Sequence, residues 1–426
     1  MKSVNISAHS LFLFSAGCLL VMASASRLYA QGLSLQQVID SIDRRNVGLQ
    51  QYMHRQEAAR QSALAAYGWP APAVGLGLNE FPYPGMHTTE NLSARKMSML
   101  RVQQMLPLFG YQRAEAAYQR SLVPQYADQQ GILRNTLHIR ARMAYVELWI
   151  GEQKINTIQE QIRQLTLLIQ VLEKQLSYNR TQPQYIYQAR AALADWQNQL
   201  AVWRGRVAAA AAVLNSLMNK PVDAPLQIDT SQLPLSLTMP ALLDSVALLQ
   251  QRSDLRWLSH QMNSLAYQRK ALLAQLKPQV GLSWDQMRMT NGMYMYNLMV
   301  MVTLPALPWA ARAQRQQALS IDEERKALED QQQEQLFETL GQIAQLQAQL
   351  QAWQQQLQAY QSDILPAYAH TYTAYLQALA EQIGPGSTGV ETLQAWNAWT
   401  MKKIDYLDLL HQYFLTRIDL LNQLEQ

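Results

Sequence analysis

Ten of the eighteen methionines of the 426-residue chain fall in two short stretches. Met86, Met97, Met99 and Met105 form one group, and Met287, Met289, Met293, Met295, Met299 and Met301 the other. A thioether is an uncharged, soft ligand that suits Cu(I) and, by the same softness, Ag(I). Met99, Met105, Met299 and Met301 are therefore candidate transient metal contacts. The plainer alternative is that methionine fills an irregular interior, or simply follows the overall composition. His87, beside Met86, reads as a loop histidine.

Other site chemistry is missing from the pattern. The sequence has no phosphate-cradling glycine loop, no His-Glu-x-x-His and no nucleophile elbow, so neither an enzyme nor a bound cofactor is expected. His54 and Glu57 lie one helical turn apart, a spacing common on solvated helix surfaces. Cys18 is the only cysteine. It sits in a leader-like segment: Lys2, an apolar core over 11–22, then Leu28-Tyr29-Ala30. That reads as a secretory signal peptide over 1–30, with Ala25 as the alternative cleavage position. The residues before Cys18 are Phe14-Ser15-Ala16-Gly17, which argues for discarding the cysteine with the leader rather than lipidating it. The remaining chain then has no disulfide and no thiolate metal site. Of 35 basic residues, Lys2 and Arg27 lie in the leader, and the rest nearly balance 31 acidic ones. Such a balance gives no support to nucleic-acid binding.

The methionines lie in segments of period two. Residues 73–79 put Val74, Leu76 and Leu78 on one face and Gly75, Gly77 and Asn79 on the other. In 97–106, Leu100, Val102 and Leu106 alternate with Met99, Arg101, Gln103 and Met105. Residues 279–287 carry Val280, Leu282 and Trp284 on one face. After an Asn291-Gly292 turn, Leu298, Val300, Val302 and Leu304 alternate with Asn297, Met299, Met301 and Thr303. Four strands of about ten residues, apolar on one face and mixed on the other, match membrane β-strands. The expected lipid-facing set is Val74, Leu76, Leu100, Val102, Leu282, Trp284, Leu298, Val300 and Val302, which turns the methionines toward a lumen. Four strands cannot close around a lumen, and open edges are not tolerated in lipid, so several chains must pool them; three chains give twelve.

The rest of the chain has helical periodicity. A helix over 34–67 starts at Ser34 and presents Leu35, Val38, Ile39, Ile42 and Leu49. A helix from 110 to about 178, kinked at Pro124, carries a seam at Ile155, Ile158, Ile162, Leu165, Ile169, Leu172 and Leu176. At about 1.5 Å per residue it would reach roughly 100 Å. A return helix covers 184–219. The order then repeats: helix 241–276, two strands, and a helix from 310 to about 382 with a seam at Leu336, Leu340, Ile343, Leu346, Leu350, Trp353, Leu357 and Tyr360. The last helix carries Ile404, Leu407, His411, Phe414, Ile418 and Leu421. The chain is thus mainly α with a small β contribution, in two pseudo-repeats of helix, strand, strand, long helix and return helix. Their bounds are 31–225 and 226–426, together one structural domain.

Three features together carry a resemblance. They are the duplicated layout, the junctions Leu106-Pro107-Leu108-Phe109-Gly110 and Leu304-Pro305-Ala306-Leu307-Pro308-Trp309, and the segment Gly389-Val390-Glu391-Thr392-Leu393-Gln394-Ala395. The chain resembles the TolC family of outer-membrane efflux proteins, and within it the outer-membrane component of heavy-metal resistance-nodulation-division pumps. The resemblance implies a homotrimer in outer-membrane lipid of a Gram-negative bacterium, with a twelve-stranded barrel continued by a periplasmic helical tunnel. It also implies a periplasmic adaptor and an inner-membrane pump as partners. The family's entrance lies at the helix turns, here Tyr178, Asn179 and Arg180 on one side and Glu381, Gly384 and Gly386 on the other. The function implied is a passive exit duct, for metal cations or for drugs and other small molecules. A soluble periplasmic coiled-coil scaffold is the alternative of a different class.

Overall fold

The computed structural model describes residues 32–79, 96–177, 182–230, 235, 245–381 and 389–425. The leader, Cys18, Met86, His87, Tyr178, Asn179, Arg180, Gly384 and Gly386 lie outside the described residues. The described part is mainly helical. Helices α1 (Leu35–Arg45) and α2 (Val47–Ala65) lead to strands β1 (Ala73–Asn79) and β2 (Met97–Leu106), then to helices α3 (Tyr111–Ser177) and α4 (Pro183–Leu217). Helices α5 (Ser245–Gln251) and α6 (Ser253–Ala274) lead to β3 (Gln279–Met289) and β4 (Tyr294–Thr303). Helix α7 (Arg312–Ala359), a π-helical turn (Tyr360–Ile364), α8 (Leu365–Glu381) and α9 (Gly389–Leu424) complete the order.

Ser34 caps α1 as expected. Its hydroxyl accepts from the Gln37 amide at 3.3 Å, while its own amide donates to the Gln37 side chain at 3.0 Å. Val38, Ile39 and Ile42 are buried along one stripe. Three helices expected to be continuous are interrupted, each for a local reason. The first breaks at Asn46, which is extended; its side-chain amide donates to the Leu217 carbonyl at 3.1 Å. Its counterpart breaks at Arg252, also extended, where the guanidinium engages Asp254 and the Gln423 carbonyl. The third break is the π turn just before Pro366. Proline has no amide hydrogen, and its ring crowds the carbonyl four residues back, that of Ser362, so the ladder widens by one residue. Pro124, in contrast, is accommodated within α3.

Contacts divide the described residues into two compact units, each drawing on both halves of the sequence. One comes from Met1–Asn46, Leu137–Pro240 and Leu346–Leu420, the other from Val47–Thr136, Ala241–Gln345 and Leu421–Gln426. In the first, Ile158, Leu165, Trp196 and Ile404 form a core, and Ile169, Leu172, Ile186 and Ala189 another. In the second, Leu258, Leu265, Ile321 and Leu328 pack together. The second unit also holds a four-stranded sheet, in the order β1-β2-β3-β4 with every neighbour antiparallel. The β3–β4 hairpin turns at Asn291-Gly292, where Gly292 takes φ 85°, and the Asn291 side chain accepts from the Met293 amide at 3.1 Å.

The buried row of α3 differs from the expected seam. It runs through Gly151, Lys154, Ile158, Gln161, Leu165, Ile169 and Leu172, whereas Ile155, Ile162 and Leu176 are half-buried. Two polar residues therefore stand where an all-aliphatic seam is expected. Lys154 is 1% exposed; its ammonium pairs with Asp408 and lies 4.1 Å from the centre of the Trp203 ring. Gln161 is fully buried; its amide donates to Asn397 and its carbonyl accepts from Thr400 at 2.8 Å.

Candidate functional site

The sheet sorts its side chains into two chemical faces. Period-two alternation does this within a strand, and antiparallel register carries it across strands. Val74 pairs with Val102, which pairs with Trp284, which pairs with Leu298. Leu282 stands between Gln104 and Val300, and Val280 between Leu106 and Val302. All nine aliphatic and aromatic residues expected on one face share a face of this sheet. Leu76 is 87% exposed and Val300 63%, and Val74, Leu282, Trp284, Leu298 and Val302 are exposed as well. An open apolar face of this kind marks a surface that meets lipid or a partner.

The opposite face is built in rows across the strands. One row is Gly77, Met99, Met287 and Met295. The next is Gly75, Arg101, Asp285 and Asn297, then Ala73, Gln103, Ser283 and Met299. Beyond these, Met105, Gly281 and Met301 share a row at one end of the face, and Asn79, Met97 and Met289 share one at the other. Thus Met105 and Met301 share a row, Met99 joins Met287 and Met295, and Met299 has no methionine beside it. Glycines make room for these side chains. A Cβ on Gly281 would come within 2.8 Å of the Met105 sulfur and 3.6 Å of Met301 Cε, and one on Gly77 within 3.2 Å of Met99 Cε.

Between the methionine rows lies a charge pair. Arg101 donates from Nε to Asp285 Oδ1 at 2.7 Å and from Nη2 to Oδ2 at 3.1 Å, a two-pronged contact. Asp285 is 2% exposed and accepts a further bond from Ser283 at 3.3 Å. Sequence reading placed Arg101 on this face but not its partner, 184 positions away. Only the β2–β3 register reveals it.

The entrance residues named above are represented among the described ones by Glu381, where α8 ends. Nearby in sequence, Arg190 pairs with Glu173 at 2.6 Å, and Thr392 donates to the Tyr375 carbonyl at 3.4 Å. An apolar cavity of about 170 Å³ lies among Leu165, Leu168, Val171, Tyr372, Leu376 and Trp396. His411, on the last helix, donates to Glu147 at 3.0 Å, and this bond holds the Glu147 carboxyl below the usual range. His54 and Glu57 are exposed; Glu57 pairs with Arg60 at 3.3 Å. Among the described residues no group of three or more His, Cys, Asp or Glu gathers as a metal site, and no helix is long and apolar enough to cross a membrane.

No protein-family model matches the chain, and no curated protein sequence matches it. Solved structures do. CusC, described in terms of transmembrane channel formation, is 17% identical with a TM-score of 0.72, over 93% of this chain and 95% of that one. The outer-membrane protein VceC of Vibrio cholerae is 16% identical with a TM-score of 0.70, over 92% and 95%. The outer-membrane channel MtrE of Neisseria gonorrhoeae, in its open state, is 16% identical with a TM-score of 0.69, over 92% and 88%. The likeness to these neighbours is one of fold over nearly the whole chain. The mainly helical chain with a small antiparallel sheet is the part of the expected fold that these neighbours share.

Proposed function

We propose that this chain, folded as the outer-membrane efflux channels are, is the passive exit duct of a tripartite efflux system. Three copies pool their four strands into a twelve-stranded barrel, and their helices continue it into the periplasm as a tunnel. The repeats 31–225 and 226–426 each supply one hairpin to that barrel. The nine apolar residues from Val74 to Val302 face lipid. Tyr178, Asn179, Arg180, Glu381, Gly384 and Gly386 form the entrance, where a periplasmic adaptor and an inner-membrane resistance-nodulation-division pump dock.

The observation that carries this reading is the sheet itself. It is a single layer whose nine apolar residues share one face, exposed on β1, β3 and β4 and half-buried on β2, and among the described residues nothing pairs the outer edges of β1 and β4. In hydrocarbon an unpaired edge leaves a row of unsatisfied backbone groups, so the sheet must close with other copies. The duct performs no chemistry on its cargo. It supplies a water-filled path, and energy comes from the pump.

Cell fractionation and planar-bilayer recording test the reading together. The expected result is recovery in the outer membrane as a heat-dissociable trimer, with discrete conductance steps after purification. Recovery in the soluble periplasm would replace the duct by the scaffold.

A further inference from the structure

Two methionine rows flank the centre of the polar face, with the Met97–Met289 pair beyond the first of them. Arg101, Asp285, Asn297, Gln103 and Ser283 offer nitrogen and oxygen; the flanking rows offer sulfur. One row holds Met99, Met287 and Met295 on three successive strands, and the other brings the Met105 sulfur and the end of Met301 together over Gly281. Directly opposed residues have Cβ atoms about 5 Å apart, within reach of flexible thioethers that converge on one ion. We propose that these rows are two sulfur-only stations for a soft monovalent cation, Ag(I) or Cu(I), on the path of the duct. The inference rests on the duct reading for its path, and it names the cargo class that reading leaves open.

Charge argues for a monovalent ion. Thioethers are neutral, so a bound ion keeps its full charge in a site with no counter-charge. The desolvation cost of an ion rises with the square of its charge, which penalises divalent ions most. Soft sulfur ligands discriminate further against Na(I) and Mg(II), which prefer hard oxygen donors, and Zn(II) is disfavoured by its double charge. Arg101 would repel any cation if it stood alone. Asp285 cancels its charge through both prongs, so the two rows between the stations carry no net charge. Arg101 Nη2 also lies 3.9 Å from the Met99 sulfur, a weak contact that an ion at this station must displace. The Met105–Met301 station carries no such competitor. Conduction requires sites loose and multiple enough to release what they bind, and two uncharged stations in series meet that condition.

The test uses the purified full-length protein in detergent and silver nitrate as probe. X-ray absorption at the silver edge should show a sulfur shell that persists in excess Na(I) and Zn(II). The shell should be lost when Met99, Met105, Met287, Met295 and Met301 are all replaced by Leu, and retained when Met53, Met143 and Met401, outside the sheet, are replaced instead. Asp285→Asn should weaken silver binding by exposing the Arg101 charge, and the neutral pair Arg101→Leu with Asp285→Leu should restore it. An unchanged sulfur shell in the five-Leu protein, or none in the wild type, would overturn the proposal. Potassium nitrate conductance of the same samples separates the two readings. A conducting protein without silver–sulfur contacts overturns the stations and leaves the duct, whereas a non-conducting soluble protein overturns the duct.

Discussion

Arg101 and Asp285 face one another across the β2–β3 pair, which among the described strands joins the hairpin of the first half to that of the second. Their two contacts, at 2.7 and 3.1 Å, fix the register at that junction. A slip of one residue would turn every apolar side chain to the wrong face. Asp285→Asn alone should therefore lower the yield of heat-dissociable trimers more than the double replacement by Leu, because the single change leaves Arg101 uncompensated. Gel mobility of unheated membrane samples reads this directly; equal yields would assign the pair no role in register.

Replacing Val300 and Val302 with Lys should block membrane assembly. Each charge on a lipid-facing site costs about 2–4 kcal/mol near the midplane. The same replacement at Thr303, on the other face, should be tolerated. Trimer levels unchanged in the Val300 and Val302 double variant would contradict the facing assigned here.

Gln161 answers Asn397 and Thr400 inside a helical core. Gln161→Leu removes a partner from both and should cost about 1–3 kcal/mol. Adding Asn397→Leu and Thr400→Val should recover part of it, since an apolar set of similar shape leaves nothing unsatisfied. Denaturant midpoints of the three proteins check the order.

Tyr145 ties the amino-terminal segment to the residues before the second half. It is 2% exposed, donates to the Leu33 carbonyl at 3.0 Å, and lies 3.5 Å from that of Asp229. Beside it, Gly32 approaches the Ile228 backbone so closely that a Cβ would come within 2.4 Å. Burial, with the Asp229 charge adding to it, pushes the Tyr145 hydroxyl up to about 12 from an ordinary 10. The folded state thus holds this proton more tightly than the unfolded one. Stability from this group is complete below pH 10 and is lost as the pH climbs to about 12. Tyr145→Phe should cost about 1 kcal/mol at neutral pH, and the gap to the wild type should close over that alkaline window. A gap that widens there would contradict the sign.

The strands and their faces were legible because period two is a local signal, repeated four times and punctuated by Gly and Pro. Val300 and Met299 declare opposite faces from sequence alone. What stayed hidden depends on partners distant in sequence. Asn46 and Arg252 look like ordinary helix residues until Leu217 and Gln423 are seen to take their side chains. Lys154 and Gln161 occupy the buried row of α3 because Asp408, Asn397 and Thr400 answer them, and periodicity alone prefers the neighbouring isoleucines. Pro366 was the one local signal available for the π turn. The silver stations needed the register, since Met99 and Met287 are neighbours only after β2 and β3 have paired.

The most direct test of the central claim is single-cysteine labelling at two adjacent positions. Cys18 is the one cysteine of the sequence, so in a Cys18→Ser background Val300→Cys and Met299→Cys each place a single thiol on the sheet. In outer-membrane preparations, a fluorophore on position 300 should be quenched by lipid-borne quenchers and shielded from water-soluble ones. A thiol at position 299 should react with a small water-soluble reagent through the lumen and escape lipid quenching. Water-soluble access to both positions, or lipid quenching at neither, would contradict a membrane barrel with its methionines turned inward.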